Sequence, residues 1–154
     1  MYRHILVPLD LSPADAVVLR HIRELARFTG AKLTLIHVAD GHVARNLLNL
    51  DLAPSPEMVE DQKQLDRFKA ELVAEGFSVN AYLACGEPAD EILAHAEKIP
   101  CDLIAMATHG HGMLGDLILG SVAHSVRHRT DIPVLLIRAP RKPRSAAPEA
   151  ANPE

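Results

Sequence analysis

The apolar positions along this chain fall into two alternating patterns. Short unbroken runs, Ile5-Leu6-Val7, Leu103-Ile104-Ala105-Met106-Ala107 and Val134-Leu135-Leu136-Ile137, have no polar interruption. Such runs read as strands buried on both faces, the kind that parallel sheets contain. Residues 32–38, with Leu33, Leu35 and Ile36 apolar, form another strand, and residues 77–83 alternate weakly and read as one more. Between the strands the apolar spacing changes to the helical period. Ala14, Val18, Ile22 and Leu25 make one stripe, Leu65, Phe68 and Leu72 a second within 57–75, and Ile92, Leu93 and Ala96 a third. Leu119, Val122, Ala123 and Val126 make the last. Gly30, Gly76, Pro100 and Pro133 stand where these helices should stop. Ser12 is placed to cap the first helix, with Pro13 at its first position and Asp15 at its third.

Strands that alternate with helices predict an α/β fold: a single-domain open parallel sheet of five strands, right-handed crossovers, and helices on both faces. In such sheets ligands bind beyond the carboxyl ends of the strands, where the strand order reverses. Two strand ends are chemically distinctive, Pro8-Leu9-Asp10 and Met106-Ala107-Thr108-His109-Gly110. A site between the first and fourth strands follows. Residues 39–56 are irregular, with His42, Arg45, Asn46 and Asp51 among leucines, and suit a lid or a partner surface. The tail 139–154 holds four of the eleven prolines and no periodicity, and is expected to be disordered. Its cluster Arg141, Lys142 and Arg144 reads as solvated.

Composition narrows the function classes. At 154 residues one domain is the default. Aromatic residues are 3% with no Trp, which leaves an aliphatic core and no stacking platform for single-stranded nucleic acid. A net charge of −4 argues against a general basic field, so nucleic acid is not an expected partner. Cys85 and Cys101 form neither a redox nor a zinc spacing and read as reduced thiols. Met1-Tyr2-Arg3-His4 runs straight into a strand, which leaves no room for a signal peptide, and no apolar run is long enough to cross a membrane. The expected location is cytoplasmic.

The loop after the fourth strand carries Gly110, Gly112 and Gly115 and leads to Gly120-Ser121 at a helix start. Glycines permit close backbone approach, and a helix start offers unpaired N–H groups with partial positive charge. Ala107-Thr108-His109-Gly110, nine residues, then Gly120-Ser121 resembles the nucleotide-binding signature of the universal stress protein family. That signature is Gly, two residues, Gly, nine residues, Gly, then Ser or Thr; three of its four positions match, with Ala107 at the first. His4-Ile5-Leu6-Val7-Pro8-Leu9-Asp10, Gly86-Glu87-Pro88 and Pro133-Val134-Leu135 are also similar to the family. The likeness spans 2–138, so the chain divides into a domain of 1–138 and the tail.

The resemblance implies the strand order 3-2-1-4-5 and adenine nucleotide binding, with ATP the expected ligand, AMP or ADP the alternatives, and magnesium an accompanying ion on the phosphates. Pro8, Leu9 and Val38 would wall the adenine, and Asp10 would sit by the adenine and ribose. Met106, Ala107, His109 and Val122 would complete the pocket. Gly110, Gly120 and Ser121 would hold the phosphates. Three departures bear on this: Leu9 stands where Thr is frequent, Ala107 replaces a Gly, and His111 stands where Arg or Lys is usual. Ala107 crowds the ribose or is harmless, depending on the sign of its φ. His109 and His111 either contact phosphate, with a dependence on pH, or are solvated.

His124 and His128 share an i, i+4 face, but the residues between them are Ser125-Val126-Arg127 rather than a zincin pattern, and no metal is assigned. The chain has no nucleophile–base pair and no Walker lysine, so slow ATP hydrolysis is the most catalysis expected. The resulting reading is a nucleotide-dependent sensor read by a protein partner, and a homodimer through Pro133 to Ile137. An adapter that binds no nucleotide and a slow ATPase are the alternatives.

Overall fold

A computed structural model of the chain describes residues 1–39, 54–108 and 120–138. Most of the irregular segment, the loop 109–119 and the tail 139–154 lie outside the described residues. Five strands and four helices alternate: β1 (His4–Leu9), α1 (Ala14–Thr29), β2 (Lys32–Ala39), α2 (Pro56–Ala74), β3 (Val79–Cys85), α3 (Pro88–Lys98), β4 (Leu103–Ala107), α4 (Ser121–Arg129) and β5 (Val134–Ile137). All pairings are parallel and the order is β3-β2-β1-β4-β5, as expected.

Alternation along each strand sends side chains to two apolar layers. Ile5, Val7, Leu33 and Leu35 face one way and pack with Val18 and Ile22 of α1 and Leu65 and Leu72 of α2. Leu6, Ile36, Ile104 and Met106 face the other way, against Ala89, Ile92 and Ala96 of α3 and Ala123 and Val126 of α4. The helices therefore cover both faces, and the unbroken apolar runs are explained.

Two boundaries differ from the expected ones. The third strand spans Val79–Cys85 rather than 77–83, because Gly76 and Phe77 still close α2: their N–H groups donate to the carbonyls of Val73 and Leu72. α1 begins at Ala14, with Pro13 rather than Ser12 at the cap position. Ser12 still contributes, since its Oγ accepts from the Ala14 N–H at 3.2 Å.

β1 and β4 are tied at one end and part at the other. At the amino end the Asp102 carboxylate accepts from the N–H groups of Arg3 and His4, while the Asp102 N–H donates to the His4 carbonyl. Because that carbonyl points at β4, so do the hydrogen-bonding edges of Leu6 and Pro8. Pro8 has no N–H to offer. The β1–β4 register accordingly ends at Leu6–Ile104, whereas β1–β2 continues to Leu9–His37 and β4–β5 to Ala107–Ile137.

Candidate functional site

The parting of β1 and β4 opens the sheet at its switch point, the place where open α/β sheets take ligands. On the β1 side stand Pro8 and Leu9, both buried, followed by the partly buried Asp10. Asp10 Oδ1 accepts from the Ser12 N–H at 3.0 Å, a local turn of the kind Asp favours. Asp10 Oδ2 is buried and has no hydrogen-bond partner among the described residues.

Asp15 fixes the same turn from inside. It is 1% exposed, on the buried stripe of α1 with Val18, Leu19, Ile22 and Ala26. Its Oδ2 accepts from the Leu11 N–H at 2.8 Å and its Oδ1 from the Asp10 N–H at 3.3 Å. Leu11 is left-handed, with φ of +60°. Burial and the neighbouring Asp10 charge push the Asp15 carboxyl up to about 7.

Further contacts hold the turn from β2 and α2. The His37 Nδ1–H donates to the Leu9 carbonyl at 2.9 Å, which fixes the tautomer, and Nε2 lies 3.6 Å from the Asp61 carboxylate. Gln64 Nε2 reaches the Leu11 carbonyl at 3.5 Å.

On the β4 side the Thr108 N–H donates to the Ile137 carbonyl, and the Gly120 N–H donates to the Thr108 carbonyl. The second bond sets the start of α4 against the end of β4. Gly120, at the cap position of α4, has no side chain to cap it, and the last turn carries Arg127, His128 and Arg129. The Gly120 cap thus leaves the first-turn N–H groups to other acceptors. Ser121 is exposed, and Val122 packs against the α3–α4 layer. Met106 and Val38 lie in that same layer, each nearly closed to solvent. Ala107 is the last residue of β4; its φ is not positive, and its methyl packs on the α1 layer. The backbone here does not require glycine.

Pro8, Leu9, Asp10, Met106, Ala107, Gly120, Ser121 and Val122 therefore gather at the carboxyl edge of β1 and β4, and Val38 at the end of the adjoining β2. His109, Gly110 and His111 lie outside the described residues. The sequence reading missed Asp15 and His37 as parts of this corner. Asp15 was detectable as an acid at i, i+3, i+4 and i+7 from Val18, Leu19 and Ile22. His37 carried no signal, because its contact is to a backbone carbonyl on a neighbouring strand.

Elsewhere, His124 and His128 are exposed on α4 with ring centroids 4.4 Å apart, and an Arg127 N–H lies 2.9 Å from His128 Nε2. Cys85 and Cys101 are free and half-buried, and burial raises both thiols. No helix among the described residues is long and apolar enough to cross a membrane.

The comparisons agree with this architecture. The model of the "Universal stress protein family" matches residues 1–138. The universal stress protein MJ0577 of Methanocaldococcus jannaschii is 28% identical over 155 residues, covering 90% of this chain and 96% of that protein. A solved structure of MJ0577 superposes with a TM-score of 0.80 over 92% of this chain and 99% of that one. YxiE of Bacillus subtilis is 30% identical over 148 residues, covering 90% of this chain and all of that protein. An Archaeoglobus fulgidus universal stress protein, solved in complex with dAMP, shares the fold at 23% identity and a TM-score of 0.66, covering 88% of this chain and 97% of that one. With its sheet order, its switch-point turn and a family match over 1–138, the chain belongs to the universal stress protein family.

Proposed function

We propose that this protein binds an adenine nucleotide, ATP with its magnesium, between the carboxyl ends of β1 and β4, and acts as a nucleotide-dependent sensor. The observation that carries this reading is the buried Asp10 Oδ2 that lacks a partner among the described residues. A buried acceptor left without a donor costs about 1–3 kcal/mol, and a ribose hydroxyl or an adenine amine supplies one. Pro8, Leu9 and Val38 offer the apolar wall and Met106 and Ala107 the β4 side. Gly120, Ser121 and Val122 present the helix start to phosphate oxygens. A protein of the same fold was solved with dAMP, an adenine nucleotide.

The sensing step requires a second element that responds to the nucleotide. We assign that role to a homodimer formed through β5, the sheet's edge strand, where Val134, Leu135 and Leu136 are only partly buried. A nucleotide shifts such an assembly only by its difference in affinity between two arrangements.

The test is a thermal-shift series with ATP and magnesium, run with mass spectrometry of nucleotide released from the purified protein. Wild type should melt higher as ATP rises and should release adenine nucleotide; Gly120→Val should do neither. The Gly120 backbone, φ −56° and ψ 143°, is open to any residue, so that variant should keep its fold. Equal responses from the two proteins would refute the phosphate role, and no response from either would leave the non-nucleotide adapter as the better account.

A further inference from the structure

We propose that His37 is a positioning residue for the ligand contact of Asp10, and that the amino half of α2, which holds the same turn through Asp61 and Gln64, responds when that contact is made. The inference rests on the nucleotide reading above and adds, to the β5 assembly, a responding element within each protomer.

Two peptide planes decide where the Asp10 carboxylate points, and each is held at both ends. A peptide unit is planar, so one partner on its C=O and another on its N–H fix its orientation. In the Leu9–Asp10 peptide the carbonyl accepts from the His37 Nδ1–H at 2.9 Å and the N–H donates to Asp15 Oδ1 at 3.3 Å. In the Leu11–Ser12 peptide the carbonyl accepts from Gln64 Nε2 at 3.5 Å and the N–H donates to Asp10 Oδ1 at 3.0 Å. That last bond occupies one Asp10 oxygen. It leaves Oδ2, buried and without a partner among the described residues, for the ligand.

α2 reaches this turn along one side. Asp61 and Gln64 are three residues apart and are neighbours on the helix surface. Gln64 takes the Leu11 carbonyl, and Asp61 stands 3.6 Å from His37 Nε2, the ring nitrogen not used by Leu9. The stripe Leu65, Phe68 and Leu72 extends back by the helical period to Asp61, so an acid stands where a further apolar residue would seat the helix. From Pro56 to Gln64 no side chain is buried, and α2 is anchored in the core only at Leu65 and Leu72. Its amino half therefore depends largely on its polar contacts with the turn. A segment with few buried apolar contacts opens more easily than the core does.

Both α2 contacts lie beyond the usual N–H···O range of about 2.7–3.2 Å, so each has room to tighten. A ligand donor on Asp10 Oδ2 immobilises the carboxylate and, with it, the two peptides. The Leu9 and Leu11 carbonyls then stand still for His37 and Gln64, and less ordering remains to be done when α2 closes on them. The coupling is reciprocal, so a well-seated α2 strengthens ligand binding by the same factor.

The experiment is residue-resolved amide exchange by NMR, without and with ATP and magnesium, joined to calorimetric titration of ATP. The proteins are wild type, His37→Leu, His37→Asn and Gln64→Leu. Without ATP, the wild-type amides of residues 60–64 should exchange faster than those of residues 67–72. Saturating ATP should slow the 60–64 amides by about three- to tenfold, the equivalent of one net hydrogen bond. His37→Leu should bind ATP more weakly by a similar factor and lose the slowing. His37→Asn, whose amide N–H can stand in for Nδ1–H, should recover much of both. Gln64→Leu lies outside the buried core and should weaken binding with the fold intact, which keeps the test open if His37→Leu does not fold. ATP binding with unchanged 60–64 exchange would overturn the response of α2. Wild-type affinity in both leucine variants would overturn the positioning. No ATP binding to wild type would overturn the nucleotide reading and the coupling with it. The Asp10 amide, followed without ATP, decides the positioning separately: it should exchange faster in His37→Leu than in His37→Asn, and equal rates would overturn it.

Discussion

Asp15 holds Leu11 in a left-handed conformation: the carboxylate accepts the Leu11 N–H at 2.8 Å while that residue sits at φ +60°. For a residue with a Cβ this backbone costs about 1–2 kcal/mol, offset by the hydrogen bond. The Asp15 carboxyl is raised in the folded protein, so its protonated form is favoured there. Its contribution to stability is present in full below the unfolded value of 3.8 and is lost as pH rises through about 7. Between acid and alkaline limits the loss is on the order of 4 kcal/mol. Urea unfolding from pH 5 to pH 9 should show wild type weakening relative to Asp15→Asn as pH rises. Parallel stability curves would contradict this account.

His4 and Thr34 pair in the core, Nε2 to Oγ1 at 2.7 Å. Burial, followed by the nearby Lys32 charge, lowers the His4 imidazole. The sign is opposite to that of Asp15: stability is present above the unfolded value of 6.5 and is lost as pH falls through the lowered folded one. Thr34→Val keeps the shape but leaves the ring nitrogen unpaired, and should cost about 1–3 kcal/mol. A denaturant midpoint unchanged within error would show that the ring finds another partner.

Pro8 sits where a backbone N–H would point at β4, and the β1–β4 register ends two residues earlier. Pro8→Ala restores a donor on that edge and removes part of the proposed adenine wall. The variant should fold, and its ATP affinity should drop by about tenfold, the equivalent of ~1.4 kcal/mol. Affinity equal to wild type would mean that the parting of the strands does not depend on the missing N–H.

The β5 edge can be tested through its backbone. The Ile137 carbonyl accepts from the Thr108 N–H, and the Pro133 carbonyl from the Ile104 N–H, so odd positions face β4 and even positions face outward. Val134→Pro removes an outward N–H while leaving the β4 ladder intact, a change edge strands tolerate. Analytical ultracentrifugation should show wild type as a dimer and the variant shifted to monomer. A monomeric wild type would remove β5 as the sensing interface.

Much of this protein was legible in the sequence because its signals are local. The unbroken runs 103–107 and 134–137 read as strands, and the helical stripes around Ile22, Leu65 and Ile92 supplied covers for the sheet. Alternation of the two patterns then dictated a parallel sheet, and Gly120-Ser121 marked a helix start. The start of β3 was misplaced by two residues because the α2 terminus uses the N–H groups of Gly76 and Phe77, and capping of that kind leaves little periodic trace.

Tertiary structure alone decided what lies at the corner of β1. Composition and spacing mark Asp10 as a strand-end acid, but they do not show that one of its oxygens is buried without a partner among the described residues. Nor do they show that Asp15, five residues on, turns back from the helix to hold the same turn. The sequence by itself determined which segments are strands and helices, since periodicity follows from each segment's own need to bury an apolar face. Which polar groups were left inside, facing which neighbours, was settled only when β2, β4 and α2 closed around that turn. Burial and pairing of charge belong to the assembled fold and to no single segment.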